Sequence, residues 1–120
     1  METPEDALAR QYKELCIEFA GGMPEKMAEI DAGLVSLGRA VDAPAILAAL
    51  KIIEAAAHRL AGGGSTFGFP QISRAAGPLA SGARKLGREA APDAAAAAAA
   101  LSPLADTLRA LVANPGEPQI

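Results

Sequence analysis

Tryptophan is absent from this chain, and cysteine, histidine and tyrosine each occur once. The lone Cys16 cannot close an intramolecular disulfide, and one cysteine with one histidine cannot supply the ligand set of a zinc site. Aromatics make up 3 % of the residues, too few for a sheet, which draws on aromatic and β-branched side chains. Positive charge is not in excess either. Eleven Lys and Arg face 14 Asp and Glu for a net charge of −3, which argues against nucleic-acid binding by bulk phosphate neutralisation. No apolar run approaches the length that spans a bilayer. The opening METPEDALAR has neither the basic nor the apolar region of a signal peptide. The expectation is a soluble, cytoplasmic, monomeric protein that binds no nucleic acid, membrane or metal.

What is abundant is alanine, in a chain that is 51 % hydrophobic and 120 residues long. Alanine, leucine, glutamate and arginine are the vocabulary of helices, and this length suits one domain with one core. Helix signals follow one another along the chain. Thr3-Pro4-Glu5-Asp6 reads as an N-cap, a first-turn proline and first-turn acids. Leu8, Tyr12, Leu15 and Phe19 then recur at helical spacing until Gly21-Gly22. A second helix is expected from Pro24, with Met27, Ile30, Leu34 and Leu37 on one face, to Gly38. Asp42 and Pro44 open a third that reaches Gly68. Pro70 opens a fourth, with Ile72, Leu79, Ala83 and Leu86 inward, to Gly87. Asp93 caps a fifth that carries Leu101, Leu104, Leu108 and Leu111. Gly77-Pro78 and Ser102-Pro103 predict a kink or break in the last two, because proline removes a backbone donor and crowds the preceding turn. The fold expected is all-α: an antiparallel up-down four-helix bundle with an additional N-terminal helix. Residues 1–113 form its single domain and 114–120, NPGEPQI, a flexible tail.

The histidine lies in AAAHRLAGGGSTFGFPQ. On a wheel of about 100° per residue, Ala49, Ile53, Ala56, Leu60 and Phe67 fall within roughly 40° of the side opposite His58, with Ile46 and Ile52 flanking them. His58 therefore points out of the bundle. Its own face holds Lys51, Glu54, Ala55, Ala61, Gly62 and Ser65, with Leu47 the one large apolar member. Three successive helical glycines cost about 2–3 kcal/mol relative to alanine. Gly63 and Gly64 point sideways and inward, where a neighbouring backbone can use the space. Gly62, one turn beyond the imidazole, has no such use, and bare backbone there gives a bulky partner access to the ring.

These residues resemble the histidine-containing phosphotransfer domain, whose motif runs His-x-Leu-Lys-Gly-Ser and then a bulky apolar residue and a glycine. Here His58, Leu60, Gly62, Phe67 and Gly68 match in type and spacing. The family's lysine is replaced by Ala61. Its polar residue on the following helix maps near Ala80, with Ser81 as the neighbouring substitute. The resemblance implies a phosphocarrier: His58 accepts a phosphoryl group from the aspartate of one receiver domain and passes it to another, since a neutral imidazole is a competent nucleophile. It implies as partners a hybrid sensor kinase and response-regulator receivers, whose own acidic pocket holds the Mg²⁺. Arg59, Gly62, Ser65, Lys51, Ala55 and Ala61 are the candidate docking residues, and Lys51, Arg59 and Arg84 the candidate replacements for the missing cation. GGGST lacks the spacing and the lysine of a P-loop, and Gly62-x-Gly64 lacks the third glycine of a dinucleotide fingerprint. No cofactor and no kinase activity of its own are expected. The rival reading is a helical adaptor that binds a signalling partner without chemistry.

Overall fold

A computed structural model describes all of residues 1–120. It contains four helices: α1, Pro4–Arg39; α2, Ala43–Thr66; α3, Pro70–Gly87; and α4, Ala94–Ala113. Their starts follow the capping chemistry. Thr3 and Asp6 form a reciprocal capping box at α1, the Asp42 carboxylate accepts from the Ala45 N–H at α2, and Asp93 accepts from Ala95 and Ala96 at α4. At α3, Pro70 sits in the first turn and Phe69 offers no side-chain cap. Short connections turn each helix back on the last, and α1 packs on α2 and α4, α2 on α3, and α3 on α4. The result is a closed four-helix ring.

The additional N-terminal helix is not separate. Residues expected to form two helices on either side of Gly21-Gly22 form the single 36-residue α1. One buried stripe runs through both halves, from Cys16 through Met23, Met27 and Ile30 to Leu37. Burying Cys16 on one side of the glycine pair and Met23 and Met27 on the other outweighs the weak helix preference of glycine and proline. The proline breaks expected in α3 and α4 are likewise absent: both helices are continuous through Pro78 and Pro103. Pro24, Pro78 and Pro103 all lie on exposed positions, where the carbonyl that loses its N–H partner faces water.

α1 outruns its neighbours. At about 1.5 Å per residue its 36 residues span roughly 54 Å against roughly 36 Å for α2. The Tyr12 hydroxyl donates to the Thr66 carbonyl at the last residue of α2, so the first two turns of α1 project beyond the bundle. That explains the exposure of Leu8, at 68 %; of the rest of the expected first stripe, Tyr12 and Phe19 are half-buried and Leu15, 48 % exposed, lies within the bundle at the rim of a groove. Ile52 is also exposed, at 47 %.

The core is one cluster of 22 residues with no buried polar or charged side chain. Gly33 brings α1 close to α2: a Cβ there would lie 2.7 Å from Ile53 Cγ1. Arg109 of α4 ties to Asp31 of α1 at 2.6 Å and to Asp106 at 2.6 Å, and these two carboxylates raise its pKa. By length and composition α4, with a mean hydropathy of 1.3 over its most apolar window, could cross a membrane. This corrects the expectation that no apolar run approaches such a length: the helix is continuous over 20 residues through Pro103. In the bundle, α4 buries Ala97, Leu101, Ala105, Leu108 and Val112.

Residues 114–120 form no helix. They return to the α2–α3 turn, where the Gln119 N–H donates to the Gly68 carbonyl at 2.7 Å. α2 ends at Thr66 rather than Gly68. Gly68 takes φ +86° and the Phe69 N–H donates to the Gly64 carbonyl at 2.8 Å, the six-to-one bond of a Schellman cap.

Candidate functional site

His58 sits about two-thirds of the way along α2 and is exposed. Its neighbours by helix geometry decide what surrounds it. Ala49, Ile53, Ala56 and Leu60, on the far side of the wheel, are 0–1 % exposed and Ile46 is 6 %, so this stripe anchors α2 and turns His58 to solvent. Phe67, expected in the same stripe, is half-buried in the turn after α2. The imidazole makes no hydrogen bond or ion pair within the chain.

Among the residues expected beside it, Lys51, Ala55, Arg59, Gly62 and Ser65 are exposed and Ala61 is half-buried. The three glycines divide as their directions imply. A Cβ at Gly63 would meet the Phe19 ring, and one at Gly64 would lie 2.9 Å from the backbone of Phe69 and Ser73. Both are required by packing. At Gly62 nothing lies within 4 Å, so packing does not require it.

The crest that carries His58 is flanked by two grooves. Toward α1, about 390 Å³ is enclosed by Leu15, Glu18, Phe19, Gly22, Lys26, Arg59, Leu60, Gly63 and Phe67. The Phe19 ring bridges Phe67 and Phe69 there, at 5.5 and 6.0 Å between centroids. Toward α3, about 290 Å³ lies among Leu47, Leu50, Lys51, Glu54, Ala83, Arg84, Gly87 and Arg88. The apolar groove was not legible in the helical wheel of α2, because half of its wall belongs to α1. The spacing of Leu15, Phe19, Gly22 and Lys26 is the signal that marks it.

Arg84 Nε donates to Glu54 Oε1 at 2.9 Å, joining α3 to α2 one turn before His58. The antiparallel register set by that pair places Ala80 level with His58. Ala80 is buried and Ser81 exposed, and Ser81 makes no side-chain hydrogen bond in the chain, so no polar side chain of α3 holds the ring. Gly77, nearly one turn from Ala80, also has nothing within 4 Å of a Cβ position. No three His, Cys, Asp or Glu side chains lie close enough together to hold a metal ion.

The family model of the Hpt domain matches residues 14–114. No curated protein and no solved structure matches the chain significantly.

Proposed function

The chain belongs to the Hpt domain family, a family of phosphotransfer carriers in phosphorelays, and from that premise we propose that His58 is its phosphoacceptor. The observation that carries the proposal is the position of the only imidazole, exposed on a helix whose opposite face is locked in the core. Nε2 of the neutral ring attacks the phosphorus of a receiver's aspartyl phosphate. The P–N bond forms as the P–O bond of the mixed anhydride breaks, and the receiver's carboxylate leaves. The same exchange in reverse loads a second receiver.

Phosphoryl transfer is governed by positioning and by charge around the equatorial oxygens. In this reading α2 provides the rigid mount, and the receiver provides the divalent ion with the pocket that holds it. Gly62 leaves room for the approach. Arg84 supplies the cation that Ala61 does not. Side chains on a helix lean toward its N-terminus, and α2 and α3 run in opposite directions. His58 therefore leans toward the level of Glu54, while Arg84 leans toward the level of Ala80 and so toward the ring. The chain needs no cofactor of its own, acts in the cytoplasm as a monomer, and stands between a hybrid sensor kinase and response-regulator receivers.

The test is incubation with a ³²P-labelled phospho-receiver and Mg²⁺. Label that appears on this chain, is lost in acid, survives alkali and vanishes in His58→Gln supports the carrier. One observation favours a second reading: alanine at both 61 and 80 removes the two polar groups that the family places at the ring. Receiver binding that His58→Gln leaves unchanged, with no label transferred, identifies a non-catalytic adaptor instead.

A further inference from the structure

The acidic net charge conceals a division between halves of the bundle. Residues 43–88, from the first residue of α2 to the C-cap of α3, hold six cations and one acid, a net +5, with Asp42 and Glu89 immediately outside. The remaining 74 residues hold five cations and thirteen acids, a net −8. The six cations are Lys51, Arg59, Arg74, Arg84, Lys85 and Arg88, and all are exposed. They also differ from the other cations in their pairing. Of the five cations of α1 and α4, Arg10, Lys26 and Arg109 contact a carboxylate and Lys13 and Arg39 do not. Of the six, Arg84 alone makes such a contact, through Glu54.

Helix geometry gathers them around the histidine. On α2, Lys51 lies within roughly 20° of His58, two turns before it, and Arg59 leans to the α1 side. On α3, Arg74, Arg84 and Arg88 fall within roughly 80° of one another on the wheel. The Glu54–Arg84 pair fixes that strip beside α2. Arg84 and Arg88 then lie on one side of the level of His58, and Arg74 on the other. Lys51, Arg84 and Arg88 line one groove with a single carboxylate among them. Unpaired like charges repel one another and gain nothing for the fold, whereas a face of one sign raises the encounter rate of an oppositely charged partner by about 10- to 1,000-fold at low salt.

We propose that the α2–α3 face is an electrostatic landing surface for an acidic protein domain, which it turns so that the partner's phosphorylated carboxylate meets His58. This rests on the carrier reading and adds to it a selection rule. Among receivers, those with a carboxylate-rich rim around the phosphorylation site exchange fastest with this chain, and those with a basic rim are rejected.

The chain is first loaded with [³²P]phosphoramidate, a small donor that transfers phosphorus to the imidazole and releases ammonia without any docking. Transfer from the loaded chain to the source organism's purified receiver domains is then timed at 30 and 300 mM NaCl. The expected result is a bimolecular rate constant at least 10-fold lower at the higher salt for the acidic-rimmed receivers. Lys51→Glu/Arg88→Glu loses at least 10-fold at 30 mM and converges with the natural chain at 300 mM. Arg39→Glu, an equal charge change per site at the far end of α1, keeps the wild-type salt slope. Loading followed by transfer that is independent of salt, or equally fast to acidic and basic receivers, overturns the landing surface and leaves the carrier standing. Failure of phosphoramidate to label His58 overturns both. Retention on a 30-base-pair DNA duplex at 150 mM NaCl assigns the face to a nucleic acid and also overturns the proposal.

Discussion

Replacing Gly62 by leucine separates stability from function, because the two respond with opposite signs. A Cβ at this position meets no atom within 4 Å, and the backbone there is helical. The variant therefore exchanges the poorest non-proline helix former for one of the best and gains about 0.8–1 kcal/mol of stability. For a domain of this size that corresponds to a rise in Tm of about 3–6 °C. The new side chain does not project straight outward. A helical residue covers the surface over the turn N-terminal to its own Cα, and for residue 62 that turn carries His58. The isobutyl group covers the ring from the side on which nothing now stands.

Thermal melts followed by circular dichroism, together with two labelling reactions, read out the consequences. Phosphoramidate is small enough to pass the leucine, so loading of His58 changes little. A receiver brings a folded surface, and displacing it by even an ångström or so costs on the order of 100-fold. The expected signature is a higher Tm, near-normal loading, and receiver transfer down by on the order of 100-fold. Wild-type transfer in a stabilised variant refutes the argument that bare backbone at this position serves access. A lower Tm refutes the premise that packing leaves the site free.

The neighbouring glycine predicts the reverse. A Cβ at Gly63 would meet the Phe19 ring, so Gly63→Ala displaces that ring and lowers stability by about 1–3 kcal/mol in urea melts, despite the better helix propensity of alanine. Gly68→Ala forces a side chain to φ +86° at a cost of about 1–2 kcal/mol, and its Cβ would also lie 2.6 Å from the Gln119 carbonyl oxygen. Deleting residues 115–120 relieves the second penalty but not the first, which a double-variant cycle measures. At the start of α1, hydrogen bonds from the Thr3 backbone and then its side chain hold the Asp6 carboxyl below its ordinary pKa of 3.8. A depressed carboxyl stabilises the fold above the unfolded-state value and loses that contribution as pH falls through the folded one. The Tm advantage of the natural chain over Asp6→Ala is therefore constant above about pH 4 and shrinks below it.

The chain carries two glycine clusters whose local signal is nearly the same, Gly21-Gly22 before Met23-Pro24 and Gly62-Gly63-Gly64 before Ser65. From sequence a helix is expected to end at the first and to run through the second, whereas the structure is helical through both. At the first cluster the deciding fact is that one buried stripe continues across the glycine pair, from Cys16 at 0 % to Met23 and Met27 at 1 % and 4 % exposure, and local propensity at the glycines does not announce that continuity. At the second, Gly63 and Gly64 are set by contacts with Phe19 of α1 and with the backbone at the start of α3, partners 44 and about 9 residues away in sequence. Helix caps were legible because Thr3, Asp42 and Asp93 act on backbone groups two or three residues away. The outward direction of His58 was legible because the core stripe opposite it belongs to the same helix. The groove beside it needed residues of α1, and the register that levels Ala80 with the ring needed the Glu54–Arg84 pair.

The same division explains why charge was misleading when summed over the chain. A net charge of −3 describes how the whole molecule behaves at long range. A partner at docking distance experiences the charges within about one Debye length, roughly 8–10 Å at moderate ionic strength. Along a helix that distance covers about six residues, so the relevant count is the one taken over neighbouring turns of α2 and α3. There the sign is positive, and the single carboxylate, Glu54, is already engaged with Arg84. Neutralising Glu54 therefore leaves the landing surface cationic while releasing Arg84. Glu54→Gln is expected to preserve the salt dependence of receiver transfer and change its rate at high salt, where only short-range contacts persist. Loss of the salt slope in that variant would mean that the pair, rather than the face, attracts the partner.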